Sequence, residues 1–339
     1  MSVFVTGGTG FIGTHVVRAL LARGERVRCL VRPTSRYINL EDLDVERVFG
    51  DVRDLASVRR GMAGCDLVFH CAADYRLYAH EPRDLYETNV GGTCNVLRAA
   101  ADVAPRAVVY TGSVGTLSLP LDGRPATEEA VAPLGDMIGD YKRSKHLAER
   151  EVLRWTERGL PVITVIPSTP IGERDVRPTP TGQIVVDFLR RRMPAYVDTG
   201  LNLVDVRDVA LGHVLAAERG RPGQRYILGN QNFTLRELFL TLARITGLHA
   251  PTVKLPSWLP VAIAHLENAV ARWAKRQPRV PLEGARMARK RMFFDGSKAV
   301  RELGVPQSPV EDALARAVTW FLERGYAPRP ATAPREAFA

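Results

Sequence analysis

The chain has 339 residues, 45% of them hydrophobic, and a formal net charge of +10. That length suits about two domains around a sizeable core, and the charge favours phosphates, anionic lipid surfaces or acidic substrates. No apolar run reaches the ~18 residues of a membrane span. The four cysteines (Cys29, Cys65, Cys71, Cys94) form no C-x-x-C pair, and the first strand starts at the N-terminus, so we expect no signal peptide, disulfide framework or metal site.

The stretch Val3–Gly13 reads V-F-V-T-G-G-T-G-F-I-G. A β-branched and aromatic run leads into Gly7, Gly10 and Gly13, and Phe11, Ile12, Val16, Val17, Leu20 and Leu21 then share one helical face. This is strand, tight turn, helix. Gly7 allows the turn, Gly10 admits a pyrophosphate to the backbone, and Gly13 lets the helix lie on the strand. The helix N-terminus adds free N–H groups and a positive dipole end. Gly7, Thr9, Gly10, Phe11, Ile12 and Gly13 are therefore assigned to a dinucleotide. The alternative is a glycine-rich turn with no ligand, against which the strand-before, helix-after context argues.

The second strand, Arg26–Val31, ends in Arg32. An enzyme preferring NAD carries a carboxylate near this point for the ribose hydroxyls. Here Arg32 stands there, with Ser35 and Arg36 close behind. A guanidinium grips a 2′-phosphate, so NADP is expected over NAD, with solvated loop charges as the alternative. Val45–Phe49 is the third strand, and Asp51 and Val52 follow where an adenine edge would sit. Asp54 suits the N-cap of a helix over Leu55–Met62. The fourth strand, Leu67–Cys71, ends in the small residues Ala72 and Ala73, where backbone must pass a cofactor closely. A helix is expected from Leu85 to Ala101, with Asn89 as a polar bridge or simply a buried amide.

The fifth strand, Ala107–Thr111, runs into Gly112 and Ser113. A loop spans Thr116 to Asp140, and Tyr141-Lys142-Arg143-Ser144-Lys145 opens a helix to Arg158. Tyr141 and Lys145 are four apart and share a face. A phenol near pKa 10 is a poor base at neutral pH; an ammonium one turn away is expected to favour the phenolate. With Ser113 holding the substrate oxygen, the trio suits proton transfer at a carbinol or carbonyl while hydride moves to or from a nicotinamide.

The combination T-G-G-T-G-F-I-G, H-C-A-A, N-V-G-G-T, T-G-S and Y-K-R-S-K resembles the extended short-chain dehydrogenase/reductase family over nearly the whole chain. The resemblance implies an α/β Rossmann fold, a doubly wound parallel sheet with a smaller C-terminal substrate-binding α/β part. It implies Ser113, Tyr141 and Lys145 as catalytic residues, with Asn89 supporting a proton relay. It places Cys71, Ala72, Ala73, Thr111 and the loop Pro167, Ser168 and Thr169 beside the cofactor. Two departures stand out. Gly112 replaces a second serine, and no acid follows the second strand, which sets the chain nearer dihydroflavonol-reductase-like members than NAD-retaining sugar epimerases. A homodimer through the helices flanking the fourth and fifth strands is also common in the family.

The sixth strand is Val162–Ile166, and Pro178–Gly182 reads as a linker into the smaller part. We expect residues 1–177, rejoined by 203–224, to form the dinucleotide domain, 178–326 mainly the substrate part, and 327–339 a disordered tail. Helices are expected over Gln183–Arg191, from Val206, and over Pro309–Glu323, with short strands at Leu203–Val206 and Arg225–Leu228. Met193–Gly200 reads as a loop. Thr234 and Glu237 form a capping box. Within Leu255–Arg276, Leu259, Ile263, Leu266, Val270 and Trp273 make an apolar stripe, and the stretch from Arg272 to Arg291 carries eight cations against Glu283. The stripe reads either as a lid helix packed on the core or as a peripheral contact with an anionic membrane. Nucleic acid is excluded for want of any aromatic-interleaved basic groove.

Asp74–Tyr78, Pro167–Gly172, Met193–Asn202 and Arg286–Lys290 look like the hopanoid-associated sugar epimerase subgroup. That implies a sugar or polyol substrate, free or lipid-linked, on a bacterial triterpenoid. The expected activity is therefore an NAD(P)-dependent oxidoreductase or epimerase, cytoplasmic or peripheral on the inner membrane face. An NADPH-dependent carbonyl reductase and a non-catalytic NADP-sensing scaffold are the alternatives.

Overall fold

The computed structural model describes residues 1–76, 82–273 and 290–329. In chain order it opens with β1 (Ser2–Thr6), α1 (Phe11–Leu21), β2 (Arg26–Val31), β3 (Glu46–Phe49), α2 (Leu55–Met62), β4 (Leu67–His70), α3 (Pro82–Tyr86), α4 (Gly92–Val103), β5 (Ala107–Thr111), α5 (Gly139–Glu157) and β6 (Val162–Pro167). There follow β7 (Thr169–Ile171), α6 (Pro180–Leu189), β8 (Ala195–Val197), β9 (Gly200–Asp205), α7 (Val206–Arg219), β10 (Arg225–Leu228), β11 (Gln231–Thr234) and α8 (Leu235–Thr246). The chain closes with β12 (Val253–Leu255), α9 (Leu259–Trp273), β13 (Arg291–Met292), α10 (Ser297–Leu303) and α11 (Val310–Glu323).

Seven strands form one parallel sheet in the order β10-β6-β5-β4-β1-β2-β3. Helices cover both faces, which is why the central strands are continuous apolar runs rather than alternating ones. From β1 the order proceeds one way to β2 and β3, the other way to β4, β5 and β6. Between β1 and β4 it reverses, opening a crevice at the carboxyl ends where ligands of such sheets bind.

One apolar cluster joins Val3, Val5, Val16, Val17 and Phe69 to Val209, Val214, Tyr226, Leu228, Ala299 and Leu303. The part of the chain that returns to this layer thus runs past residue 224, through β10 and α10. A second cluster gathers Val185, Phe188, Phe239, Leu242, Leu314 and Phe321 from α6, α8 and α11. It lies with a smaller sheet in which β9 pairs with β11, β13 and β7.

Asp54 caps α2 through the Ala56 and Ser57 N–H groups, and Thr234 and Glu237 form the expected capping box. Three expectations are corrected. The linker Pro178–Gly182 is largely helix: Thr179 caps α6 through the Gly182 N–H and Pro180 sits at its first turn, where a missing N–H costs nothing. The helix expected from Leu85 is interrupted by a π-turn at Glu87–Gly91, next to the flexible pair Gly91-Gly92. The loop expected over 193–200 contains β8 and the first residue of β9, both paired; short edge strands give little alternation to read.

Helix α9 also differs from the packed-lid reading. Among its described side chains Ala264 and Ala271 are buried, while Ile263, Leu266 and Val270 are 47%, 70% and 42% exposed. The two alanines let the helix lie close, and these three larger side chains point outward. Residues 274–289, with most of the cations, and 330–339, the greater part of the expected tail, lie outside the described residues.

Candidate active site

The turn after β1 is built by its glycines. Gly7 has φ +75°, and a Cβ there would lie 2.6 Å from the Ala72 nitrogen at the end of β4. A Cβ on Gly13 would overlap the Gly7 carbonyl oxygen, so α1 rests on the turn itself. Gly10 donates its N–H to the Gly7 carbonyl at 2.9 Å and has only that oxygen near its missing Cβ, at 3.2 Å. Thr9, Phe11 and Ile12 complete the mouth of α1, whose first N–H groups face no acidic residue in the first turn. This is a cradle that a diphosphate fits.

The other expected cofactor residues lie at the carboxyl ends of neighbouring strands. Arg32 follows β2; its guanidinium is exposed and makes no hydrogen bond or ion pair among the described residues, while its carbonyl accepts the Ser35 N–H at 2.9 Å. Asp51 follows β3 and pairs with Arg53 at 2.9 Å. Burial pushes its carboxyl up, but Arg53, and more weakly Arg32, hold it below the usual range. The Val52 carbonyl accepts Asn95 Nδ2 at 3.0 Å. Pro167 ends β6, Thr169 begins β7, and Ser168 between them has a buried hydroxyl with no partner among the described residues. Cys71, Ala72 and Ala73 end β4 beside Gly7. The Cys71 thiol is pushed up to about 11 by burial, so it is no nucleophile, and all four cysteines are free.

Lys145 is 4% exposed. Its Nζ donates to the Thr111 carbonyl at 2.7 Å and lies 4.5 Å over the Tyr110 ring. Burial lowers its ammonium to about 8, against the opposing charge of Glu149. Tyr141, one turn earlier, has the Ser113 hydroxyl as the polar group that favours its ionised form. The expected acidification by Lys145 is not found. Burial raises the Tyr141 phenol, the Ser113 hydroxyl opposes this, and the Glu149 and Asp74 charges raise it further. The ammonium is directed to Thr111 and Tyr110 instead. In this state the pair is a neutral phenol beside a readily titrated amine.

Asn89 is buried and fully engaged. Its Nδ2 donates to the Asp74 carbonyl and to Ser144 Oγ, both at 2.9 Å, and its Oδ1 accepts the Asp74 N–H at 2.7 Å. It clamps the strand end of β4 to α5, with Ser144 reaching the Tyr141 carbonyl at 2.7 Å.

Several residues that sequence reasoning passed over hold this arrangement. Thr6 bonds His70 Nδ1 at 2.7 Å, and His70 Nε2 bonds Thr93 at 3.0 Å. Thr93 gives its proton to the Asn89 carbonyl, so Nε2 is the donor and Nδ1 the acceptor. Burial lowers His70 to about 3, keeping it neutral. His213 likewise is lowered to about 4 by burial and bonds Thr111 Oγ1 at 3.0 Å. The four-residue step from Asn89 to Thr93 was the one available signal, since it puts both on the inner face of a helix.

Residues 3–229 match the profile of the NAD-dependent epimerase/dehydratase family. The chain belongs to that family. It is of the extended short-chain dehydrogenase/reductase type, an enzymatic family of Rossmann proteins. The chain is 48% identical to a Synechocystis protein that carries a provisional dihydroflavonol 4-reductase name, over 95% of each. It is 35% identical to sterol demethylase protein B of Methylococcus capsulatus, over 96% of this chain and 99% of the relative. The crystal structure of gox2253 superposes with a TM-score of 0.86 at 44% identity, covering 96% and 99% of the two chains. Of the stretches resembling the hopanoid subgroup, Leu77, Tyr78 and residues 286–289 lie outside the described residues.

Proposed function

We propose that the protein is an NADP(H)-dependent oxidoreductase that moves hydride at a carbinol or carbonyl carbon, working chiefly as a reductase. The observation that carries this is the Tyr141 phenol, raised by burial against the opposing Ser113 hydroxyl. Such a phenol is suited to give a proton to a forming alkoxide, with Ser113 as the second hydroxyl for the same substrate oxygen. A bound nicotinamide supplies the hydride. The chain's own part is to hold the coenzyme along Gly7–Gly13, Arg32 with Ser35, Asp51 with Val52, Cys71–Ala73, Thr111 and Pro167–Thr169, and to deliver the proton from Tyr141. Lys145 is placed for the coenzyme ribose, and Asn89 steadies α5 rather than passing protons through its amide.

The unpaired Arg32 favours the 2′-phosphate of NADP. The relative named for sterol demethylation supports a polycyclic, terpenoid-like substrate, in keeping with the resemblance to the hopanoid-associated subgroup. Epimerisation of a sugar or polyol group on such a lipid is the second reading; the family name supports it. A scaffold that only senses NADP is disfavoured by the presence together of Ser113, Tyr141 and Lys145. A division into residues 1–177 with a returning part that runs from 203 past 224 through β10 and α10, and a remainder within 178–326, supports a coenzyme part and a substrate part.

Stoichiometry separates the chemistries. With sterol ketones and polyol-bearing triterpenoids as substrates, NADPH absorbance should fall mole for mole with product. Substitution Tyr141→Phe should cut turnover by about 10²–10⁴-fold while NADPH fluorescence titration stays unchanged. Interconversion of carbinols with no loss of coenzyme absorbance would establish the epimerase; turnover retained in Tyr141→Phe would remove the trio from the reaction.

A separate reading concerns α9. Its outward Ile263, Leu266 and Val270, next to Trp258 and followed in sequence by a cation-rich run, support peripheral contact with an anionic membrane. No described helix is long and apolar enough to cross one. Leu153, exposed on α5, supports pairing of two copies along that helix.

A further inference from the structure

Tyr141, Lys145 and Glu149 follow one another at four-residue steps on the inner face of α5. Glu149 lies behind the other two, its side chain 13% exposed. The Thr116 hydroxyl, which donates to the Ser113 carbonyl at 2.8 Å, also lies 3.1 Å from each oxygen of the Glu149 carboxylate. That carboxylate pairs with Arg225 of β10 at 3.2 Å, and Arg225 is itself anchored on the Glu128 carbonyl at 2.7 Å. A Cβ at Gly112 would come within 2.8 Å of Glu149 Oε1. The carboxylate thus fills the space that a side chain at 112 would take, which accounts for glycine at this departure from the family pattern.

We propose that Glu149 is a positioning residue of the candidate active site, whose carboxylate pins the Ser113–Thr116 turn and holds a negative charge beside Lys145. The inference deepens the proposed function and rests on it for its meaning, though not for its test. A buried carboxylate keeps its charge only where charge-assisted hydrogen bonds and a cation replace water; burial raises the Glu149 carboxyl, and Arg225, the Lys145 ammonium and Thr116 oppose that rise. Around Lys145 the other groups are the Thr111 carbonyl and Tyr110 ring from β5, and Cys71 and His70 from β4; around Glu149 they are Tyr110, Tyr141 and Arg225. Glu149 is the carboxylate that supports the Lys145 ammonium, as burial works against it. The same charge adds to the rise of the Tyr141 phenol, of which burial is the larger cause.

The chain has six lysines, so Lys145 can be followed by NMR titration of ¹³C-lysine-labelled full-length protein, assigned through Lys145→Arg. In the wild type it should titrate well below the other lysines. Glu149→Gln should weaken its proton affinity about tenfold or more, whereas Glu149→Asp, which keeps the charge, should leave it within about threefold of wild type. Amide exchange over residues 112–117 should quicken in Glu149→Gln and in Thr116→Val, with the Lys145 titration unmoved in the latter. If Glu149→Gln does not fold because Arg225 loses its partner, the double change Glu149→Gln/Arg225→Gln replaces it with the same expected direction. An unchanged Lys145 titration overturns the electrostatic role, and unchanged exchange overturns the positioning role. Neither readout uses turnover, so failure here is distinct from a failure of the reductase assignment.

Discussion

The central strands of the parallel sheet and helix α9 are both rich in apolar residues, yet the strands are buried and the helix turns large side chains to water. In β1, β4 and β5 each strand pairs with neighbours on both sides, so its side chains are committed to two covered faces. Val3, Phe4, Val5, Phe69 and Val108 are all fully buried. Helix α9 satisfies its backbone internally and needs no neighbour to form; it rests on Ala264 and Ala271 and turns its larger residues out. Apolar content therefore predicts burial where hydrogen-bonded pairing fixes orientation, and much less where a helix is free to rotate about its axis.

This contrast is open to attack, most severely at the glycine turn. Gly13→Val sets a side chain against immovable backbone and should cost more than ~3 kcal/mol by urea unfolding, whereas Gly24→Ala, with open space around its position, should cost about 1 kcal/mol through its positive φ. Equal midpoints would mean the turn is not the rigid element described. Arg32→Asp should weaken NADPH by ~1.5–3 kcal/mol with little change for NADH; unchanged NADPH titration removes Arg32 from the site.

Asp175 lies between β7 and α6. It is buried, and burial raises its carboxyl to about 7 although the Thr179 N–H and hydroxyl oppose the rise. Its Oδ1 has no partner among the described residues. Because the folded chain then holds this proton more tightly than the unfolded one, the stabilisation is full below the ordinary carboxylate range and is lost as pH rises through about 7. The wild type should gain about 2 kcal/mol between pH 7.5 and 5 relative to Asp175→Asn. Parallel melting profiles for the two would show that Asp175 is ordinary. The smallest effect belongs to α9. Leu266→Asp should alter stability by less than ~0.5 kcal/mol yet abolish low-salt co-sedimentation with phosphatidylglycerol vesicles. A large loss of stability would mean that the outward face is packed after all, and a wild type that does not sediment would end the membrane reading.

The residues for the glycine turn, the capping boxes, the strand runs of the parallel sheet and the Tyr141–Lys145 step were legible because each is a local pattern. Chain geometry over a few residues dictates them, and Asp54, Thr234 and Gly7 sit as their neighbours in sequence require. The short strands β7, β8, β11, β12 and β13 were not legible, since strands of two to four residues leave no periodicity to read. Nor were Thr6 with His70, Thr111 with His213, or Glu149 with Thr116 and Arg225, whose partners come from different strands and helices.

Sequence alone determined the family pattern and which side chains could carry chemistry, because backbone turns and helical spacing are set by near neighbours. Tertiary structure alone decided the protonation of that chemistry. The Tyr141 phenol is raised where spacing suggested it would fall, since burial and the carboxylates of Glu149 and Asp74 act through space, and which of them surround it depends on how distant segments pack.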